Sequence, residues 1–443
     1  MGLPGYDTDN DRKECDLLIQ DTSVMVSPDQ ILDHMDILIL DGKILSVQPH
    51  QAESYPAADR ISGKGMLFMP GMIDSHMHTG QQLLKGQVLD AEPVIWTRVM
   101  LPFESSLTPE KMRLSAESAA VEMIHNGTTG FVEAGSYFME EAAAVYLKSG
   151  LRAALSCSTM DTEGLPAAIA MNAKEAVSQT DRLYGDWHGK GLLKVYYGLR
   201  ALNACSDELI RLVGEHGAER ETMIQAHMNE YPGEVEEICR RWGMRPYEYL
   251  EQAGILSEHF LGAHSLILSA REKELIAGHQ AAICHCPFSN CGKAAPETPD
   301  LLKRGIVPGF GTDGAAHGGL SLWNEMRIFR SIMQLLFGVP ARNSKIMPAE
   351  LLFTMLYEGG AAAMDERGRI GKLEAGYQAD LIGIDLNTAS MQPCTHMLHN
   401  LLECGSEAAV KDMIVNGKLL MHNREILTLD EERIIYELKH RRR

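Results

Sequence analysis

Between residues 67 and 310 the chain alternates short apolar runs with amphipathic stretches, and this alternation most narrows the folds open to it. The apolar or β-rich runs fall at 67–73, 128–133, 152–156 and 192–197, then at 222–226, 260–263, 281–284 and 306–310. Amphipathic stretches such as 109–125, 208–216 and 271–279 lie between them. Eight strand-then-helix units over about 300 residues predict parallel strands joined by crossover helices, and hence a (β/α)8 TIM barrel of the α/β class. A doubly wound open sheet is the competing layout. It would place a glycine-rich phosphate fingerprint after its first strand, and none is present there.

The two ends of the chain read differently. Residues 17–19, 36–40 and 43–47 are strand-like, with Asp41-Gly42 as a hairpin signal, and 379–384 and 410–415 repeat the pattern around Asn416-Gly417. Two β-rich ends predict one small β-sandwich domain built from residues 1–68 and 370–443, with the barrel at 69–369. The full 443 residues suit a large barrel with such an appendage.

Composition narrows the partners. The chain is 45% hydrophobic and 23% charged, an ordinary globular balance. Its formal charge is -19, and a surface that acidic repels phosphate backbones, which excludes nucleic acid as the expected partner. Nine cysteines without framework spacing point to reduced thiols and a cytoplasmic setting. The polar start, Met1 to Asp7, lacks a signal-peptide core, and no window approaches the roughly 20 apolar residues of a membrane span. The basic run from Lys439 to Arg443 reads as a solvated tail.

Metal-capable residues cluster where the strands end. The segment Met69-Pro70-Gly71-Met72-Ile73-Asp74-Ser75-His76-Met77-His78 runs from a buried strand into two histidines. Positions two apart on an extended chain face the same way, so His76 and His78 project together. His227 and Glu230 follow the fifth run, His264 the sixth and Asp313 the eighth. Imidazole and carboxylate donors suit one divalent cation, zinc or iron, with a position left for water. His34, His125, His216 and His279 fall in predicted helices or loops, where surface or capping roles are expected. Cys284, Cys286 and Cys291 lack convincing ligand spacing and are expected to be small buried thiols. The H-x-E and P-C-x-x-C pair of the unrelated zinc deaminases is missing.

Together these motifs resemble the amidohydrolase superfamily, in the branch holding guanine deaminase, adenosine-type nucleoside deaminases and chlorotriazine hydrolases. The resemblance spans nearly the whole chain. It rests on the P-G-x-I-D-x-H-x-H opening, the H-x-x-E pair at His227 and Glu230, the H-C-P-x-S-N segment from His285, and the G-T-D-G close at Gly311 to Gly314. It implies that His76, His78, His227 and Asp313 bind one metal ion. Glu230 would then protonate a ring nitrogen of the substrate, and His264 would orient the attacking hydroxide. Asp313 would take the water's proton and deliver it to the leaving amine. Two-metal members use a lysine at the fourth strand's end, whereas Lys194 lies near that strand's start, so one ion is expected. A homo-oligomer acting on a small heterocyclic molecule, away from membranes, completes the implication.

The residues expected to read the substrate point in two directions. Gln81 and Arg200 resemble the pair that reads the oxo and ring-nitrogen edge in guanine deaminase. Trp96 and Glu104 resemble a segment that holds ribose hydroxyls in nucleoside deaminases, and Gly311-Thr312-Asp313-Gly314-Ala315-Ala316 is closer to that group. Enzymes acting on S-adenosylhomocysteine carry arginines after the third strand, where this chain has Ser156-Cys157-Ser158. His317 replaces a small or amide residue and is a candidate substrate contact. The expectation is hydrolytic deamination of a purine- or pterin-like ring. Nucleoside deamination, chloride removal from a triazine-like ring, and metal binding without catalysis are the alternatives.

Overall fold

A computed structural model describes residues 15–51, 55–92 and 94–440. The polar start and residues 441–443 of the basic run lie outside the described residues. Five strands come first: β1 (Cys15–Ser27), β2 (Gln30–Leu40), β3 (Lys43–Pro49), β4 (Ala57–Ser62) and β5 (Met66–Pro70). The middle contributes β6 (Met72–Met77), β7 (Thr128–Glu133), β8 (Arg152–Leu155), β9 (Leu193–Val195), β10 (Tyr197–Leu199), β11 (Ile224–Met228), β12 (Phe260–His264), β13 (Ala282–His285) and β14 (Gly309–Phe310). The last four are β15 (Leu381–Asp385), β16 (Val410–Val415), β17 (Lys418–His422) and β18 (Glu425–Ile426).

Strands from both ends share one nine-stranded sheet in the order β18-β17-β16-β15-β5-β1-β2-β3, with β4 paired to β1. Hydrogen bonding runs through this sheet without a break. It has its own core of Ile19, Val24, Ile37, Ile39, Phe68 and Leu381. The β2–β3 turn sets Asp41 and Gly42 at φ 50° and 75°, and the β16–β17 turn sets Asn416 and Gly417 at 49° and 74°. Two successive positive φ values match the right-handed twist of the flanking strands, which is why these dipeptides make hairpins.

The middle strands are parallel and form the barrel. They run β6-β7-β8-β9 and β10-β11-β12-β13-β14. Two expected runs divide in an informative way. Residues 67–73 split at Gly71, where the chain leaves the terminal sheet as β5 and enters the barrel as β6. A Cβ at Gly71 would lie 2.1 Å from Thr129 Oγ1, so only glycine passes there. The fourth barrel strand switches partner at Tyr196, whose N–H donates to Leu155 O (2.8 Å) before Tyr197 N–H turns to Met223 O (3.0 Å). The turn after β14 meets β6 through the bond from Asp313 N–H to His76 O, at 2.9 Å. Ile73, Val132, Ala154, Tyr196, Leu261 and Cys284 fill the interior, closed by Ala361–Met364, so the barrel is a packed core with its working end at the strands' carboxyl termini.

One buried ion pair fastens barrel to terminal sheet. Arg152, at the start of β8, donates from Nε and Nη2 to the two oxygens of Asp380 (2.8 and 3.1 Å), and Asn416 N–H donates to the same carboxylate. The histidines expected in helices or loops pair with carboxylates: His34 with Asp21, His125 with Glu431, His216 with Asp181 and His279 with Glu251. Lys194 reaches Glu366 and the carbonyls of Met364 and Asp365, away from the strand ends that carry the histidines. The nine cysteines are free. Cys284 and Cys286 are buried as expected, but Cys291 is exposed, because it follows the short helix Pro287–Asn290 out of the core. Among the described residues no helix is long and apolar enough to cross a membrane.

Candidate active site

The strand ends bring His76, His78, His227 and Asp313 together, with one donor atom from each lying within 4.8 Å of the others. His76 and His78 Nε2 both stand 3.4 Å from Asp313 Oδ1, and His78 Nε2 stands 3.2 Å from His227 Nε2. All four are buried. Neither ring nitrogen of His76 has a hydrogen-bond partner. Burial pulls the pKa of His78 down to about 3, and that of His227 well below the usual histidine range. The neutral His78 and His227 rings, the unpartnered nitrogens of His76 and one carboxylate oxygen make a donor set that fits zinc or iron.

The supporting residues explain the motif spacing. Asp74 accepts from Thr312 Oγ1 (2.7 Å), Thr312 N–H (3.1 Å) and His76 N–H (3.2 Å), fixing the first ligand segment to the last. Burial lifts its carboxyl to a pKa of about 7. Both glycines of G-T-D-G are required by closeness. A Cβ at Gly311 would lie 2.8 Å from His76 Cβ, and Gly314 has φ 81° with His78 N only 3.1 Å from its would-be Cβ. Asn229, His264 and Asp313 take φ values of 51°, 66° and 59°, a left-handed kink at each of three strand ends. Such conformations cost energy and persist where the surroundings fix them, as at active sites.

The tautomer of His264 follows from its neighbours. Cys286 N–H donates to Asn290 Oδ1 (2.8 Å), which orients the amide so that its NH2 faces His264 Nδ1 at 3.0 Å. Nδ1 must then be the acceptor, leaving the proton on Nε2. That N–H points into the site, 3.6 Å from Glu230 Oε1. Burial lowers the pKa of His264 to about 4, keeping the ring neutral. Glu230 retains 14% side-chain exposure and so reaches the cavity.

Its position is set by Glu234, which accepts from the N–H groups of Asn229 (3.1 Å) and Glu230 (2.9 Å). Burial, then the nearby Glu230 charge, raises the Glu234 pKa from 4.5 to about 8. The folded chain therefore keeps this proton to higher pH than the unfolded chain, and stability falls as pH rises across that window. Glu234→Gln, which keeps an acceptor, is expected to flatten the decline of Tm between about pH 5 and pH 8. An unchanged slope would count against this.

A cavity of about 530 Å³ opens onto the cluster, lined by His78, Gln81, Trp96, Arg200, Lys293 and His317 among others. Lys293 is absent from the sequence reading, yet it contacts Glu230, Ser289 and Asp313. Its lysine follows the S-N segment with no periodic or ligand spacing to flag it. His317 lies beside Asp313, with Nε2 4.0 Å from Oδ2. The substrate-reading candidates are tied to one another. Glu104 Oε1 accepts from Gln81 Nε2 (2.8 Å) and from Arg200 Nη2 (3.0 Å). Glu104 thus stands behind Gln81 and Arg200, not at the cavity wall. A carboxylate only accepts, so the Gln81 NH2 must face it, and Gln81 Oε1 is left buried without a partner. Gln81 therefore offers an acceptor.

Residues 67–420 match the model of the Amidohydrolase family. A 5-methylthioadenosine/S-adenosylhomocysteine deaminase from Pelotomaculum thermopropionicum is 32% identical over 436 residues, 96% of this chain and 98% of its own. The fold superposes on a zinc-bound adenosine deaminase from Xanthomonas campestris with a TM-score of 0.89 and 26% identity, covering 96% of this chain and 98% of that one. It also matches a zinc complex of atrazine chlorohydrolase from Arthrobacter aurescens (TM-score 0.85, 22% identity, 96% and 99% covered), a likeness of fold.

Proposed function

Since this chain belongs to the amidohydrolase family and is a hydrolase of C–N bonds, we propose that it deaminates an amino-substituted purine- or pterin-like ring, releasing ammonia. The observation that carries the reading is the meeting of Glu230, His264 and Asp313 beside the three-histidine cluster. A site meant only to hold metal has no use for that acid–base set.

His76, His78, His227 and Asp313 would hold a divalent ion, and the chemistry it would supply is a nucleophile at neutral pH, through a water whose pKa falls to about 7. We take zinc as the ion, in line with the zinc-bound adenosine deaminase; metal analysis of protein purified without chelators tests this. Glu230 protonates the ring nitrogen beside the reacting carbon, which makes that carbon electrophilic. His264 directs its Nε2–H toward the incoming oxygen. Asp313 relays the proton to the departing amine. Farther in, Gln81 Oε1 accepts from a ring N–H, held at the correct angle by Glu104 and Arg200.

Ammonia release from a panel of purines, pterins, nucleosides and triazines tests the reading, and metal-loaded protein that releases none from any ring would sink it. Nucleoside deamination is the second reading, favoured by the 5-methylthioadenosine/S-adenosylhomocysteine deaminase relative; preference for a ribosylated ring over its free base would select it. On the best substrate, Gln81→Met is expected to raise KM about tenfold with kcat nearly unchanged. An unaltered KM would remove Gln81 from recognition.

A further inference from the structure

Lys293 is the one cation that touches both carboxylates of the site among the described residues. Its side chain is 7% exposed. An ammonium has three N–H donors, and three acceptors surround this one: Glu230 Oε1, Ser289 Oγ at 2.6 Å and Asp313 Oδ2 at 3.4 Å. Ser289 in turn donates its hydroxyl hydrogen to Asp313 Oδ2 at 2.5 Å. The two oxygens of Asp313 are thereby given different work. Oδ1 faces the His76 and His78 nitrogens, while Oδ2 is held by Ser289 and Lys293. Glu230 is divided the same way, since Oε1 meets Lys293 and Oε2 has no hydrogen-bond partner among the described residues.

Two carboxylates in one cavity repel each other, and the usual outcome is that one takes up a proton or turns away. Here the Lys293 nitrogen stands between them, in contact with Glu230 Oε1 and 3.4 Å from Asp313 Oδ2. We propose that Lys293 is a positioning residue that binds Glu230 and Asp313 into a single unit, fixing which oxygen of each faces the ring and the ion. The proposal rests on the reading of those carboxylates as the acid–base pair.

The variants Lys293→Met, Lys293→Arg, Glu230→Gln and the Lys293→Met/Glu230→Gln double variant form the test, with kcat and KM read from ammonia release. Lys293→Met is expected to lower kcat about 100-fold with KM nearly unchanged, and Lys293→Arg to restore much of it. If Lys293 acts through Glu230, the double variant is no slower than Glu230→Gln alone. Additive losses would overturn the coupling.

A second measurement needs no turnover. Apo protein titrated with zinc against a chromophoric chelator should bind on the order of tenfold more tightly in Lys293→Met, because a positive charge beside Asp313 has gone. Lys293→Arg should stay near the parent value. A residue that only fills space leaves zinc affinity unmoved, and that result would also overturn the proposal. Should Lys293→Met fail to fold, Lys293→Gln serves in both arms. A parent enzyme silent on every ring would defeat the deaminase reading, while the zinc titration would still decide on Lys293.

Discussion

Glu230→Gln is expected to lower kcat by about 10³-fold while zinc content and fold stay at the parent level. The amide keeps the shape of the side chain but cannot give a proton to a ring nitrogen, and an unprotonated ring is a poor electrophile. Glu230 is outside the ligand set of His76, His78, His227 and Asp313, so the ion should remain bound. The measurement is steady-state ammonia release together with metal analysis of the same sample. A variant with kcat within threefold of the parent would strip Glu230 of its role, and a variant devoid of zinc would make it a ligand instead. The pKa of Glu230 is pulled both ways, since burial raises it while His264 and Lys293 lower it, the latter prevailing.

Asp380→Ala is expected to cost about 3–5 kcal/mol of stability, the largest loss foreseen from one substitution outside the site. Removing the carboxylate strands the Arg152 guanidinium in a place where it is 7% exposed, and it also frees the Asn416 N–H. Urea unfolding followed by fluorescence reads the loss directly, and a change below about 1 kcal/mol would contradict it. The double variant Arg152→Met/Asp380→Leu should recover much of the deficit, because replacing a buried pair by apolar side chains avoids leaving a bare charge.

Much of this architecture was legible because it rests on local regularities. Alternating apolar runs located the barrel strands, and Asp41-Gly42 and Asn416-Gly417 located two hairpins through their backbone requirements. The histidines were legible by their place at strand ends. What escaped is set by contacts distant in sequence. The break at Gly71 depends on Thr129, and the partner switch at Tyr196 depends on Leu155 and Met223. Gln81 and Arg200 read as a pair for one substrate and Glu104 for another, yet in the fold all three form one hydrogen-bonded group. Asp74 and Glu234 read as ordinary acids, and only burial reveals their altered acidity. Lys293 carries no signal at all until Glu230 and Asp313 are seen on either side of it.

The segment from Cys286 to Lys293 supplies the Asn290 amide that fixes the His264 proton, the Ser289 hydroxyl on Asp313, and the Lys293 ammonium. None of these residues belongs to the ligand set, which comes from β6, β11 and the turns that follow β6 and β14. The side chains that orient the acid–base groups thus come from one contiguous stretch, apart in sequence from the residues that would hold the ion. A laboratory graft, or a single recombination event, can exchange the first without touching the second. A transplant of these eight positions would therefore alter the surroundings of His264, Glu230 and Asp313 while leaving the other three members of the ligand set unchanged.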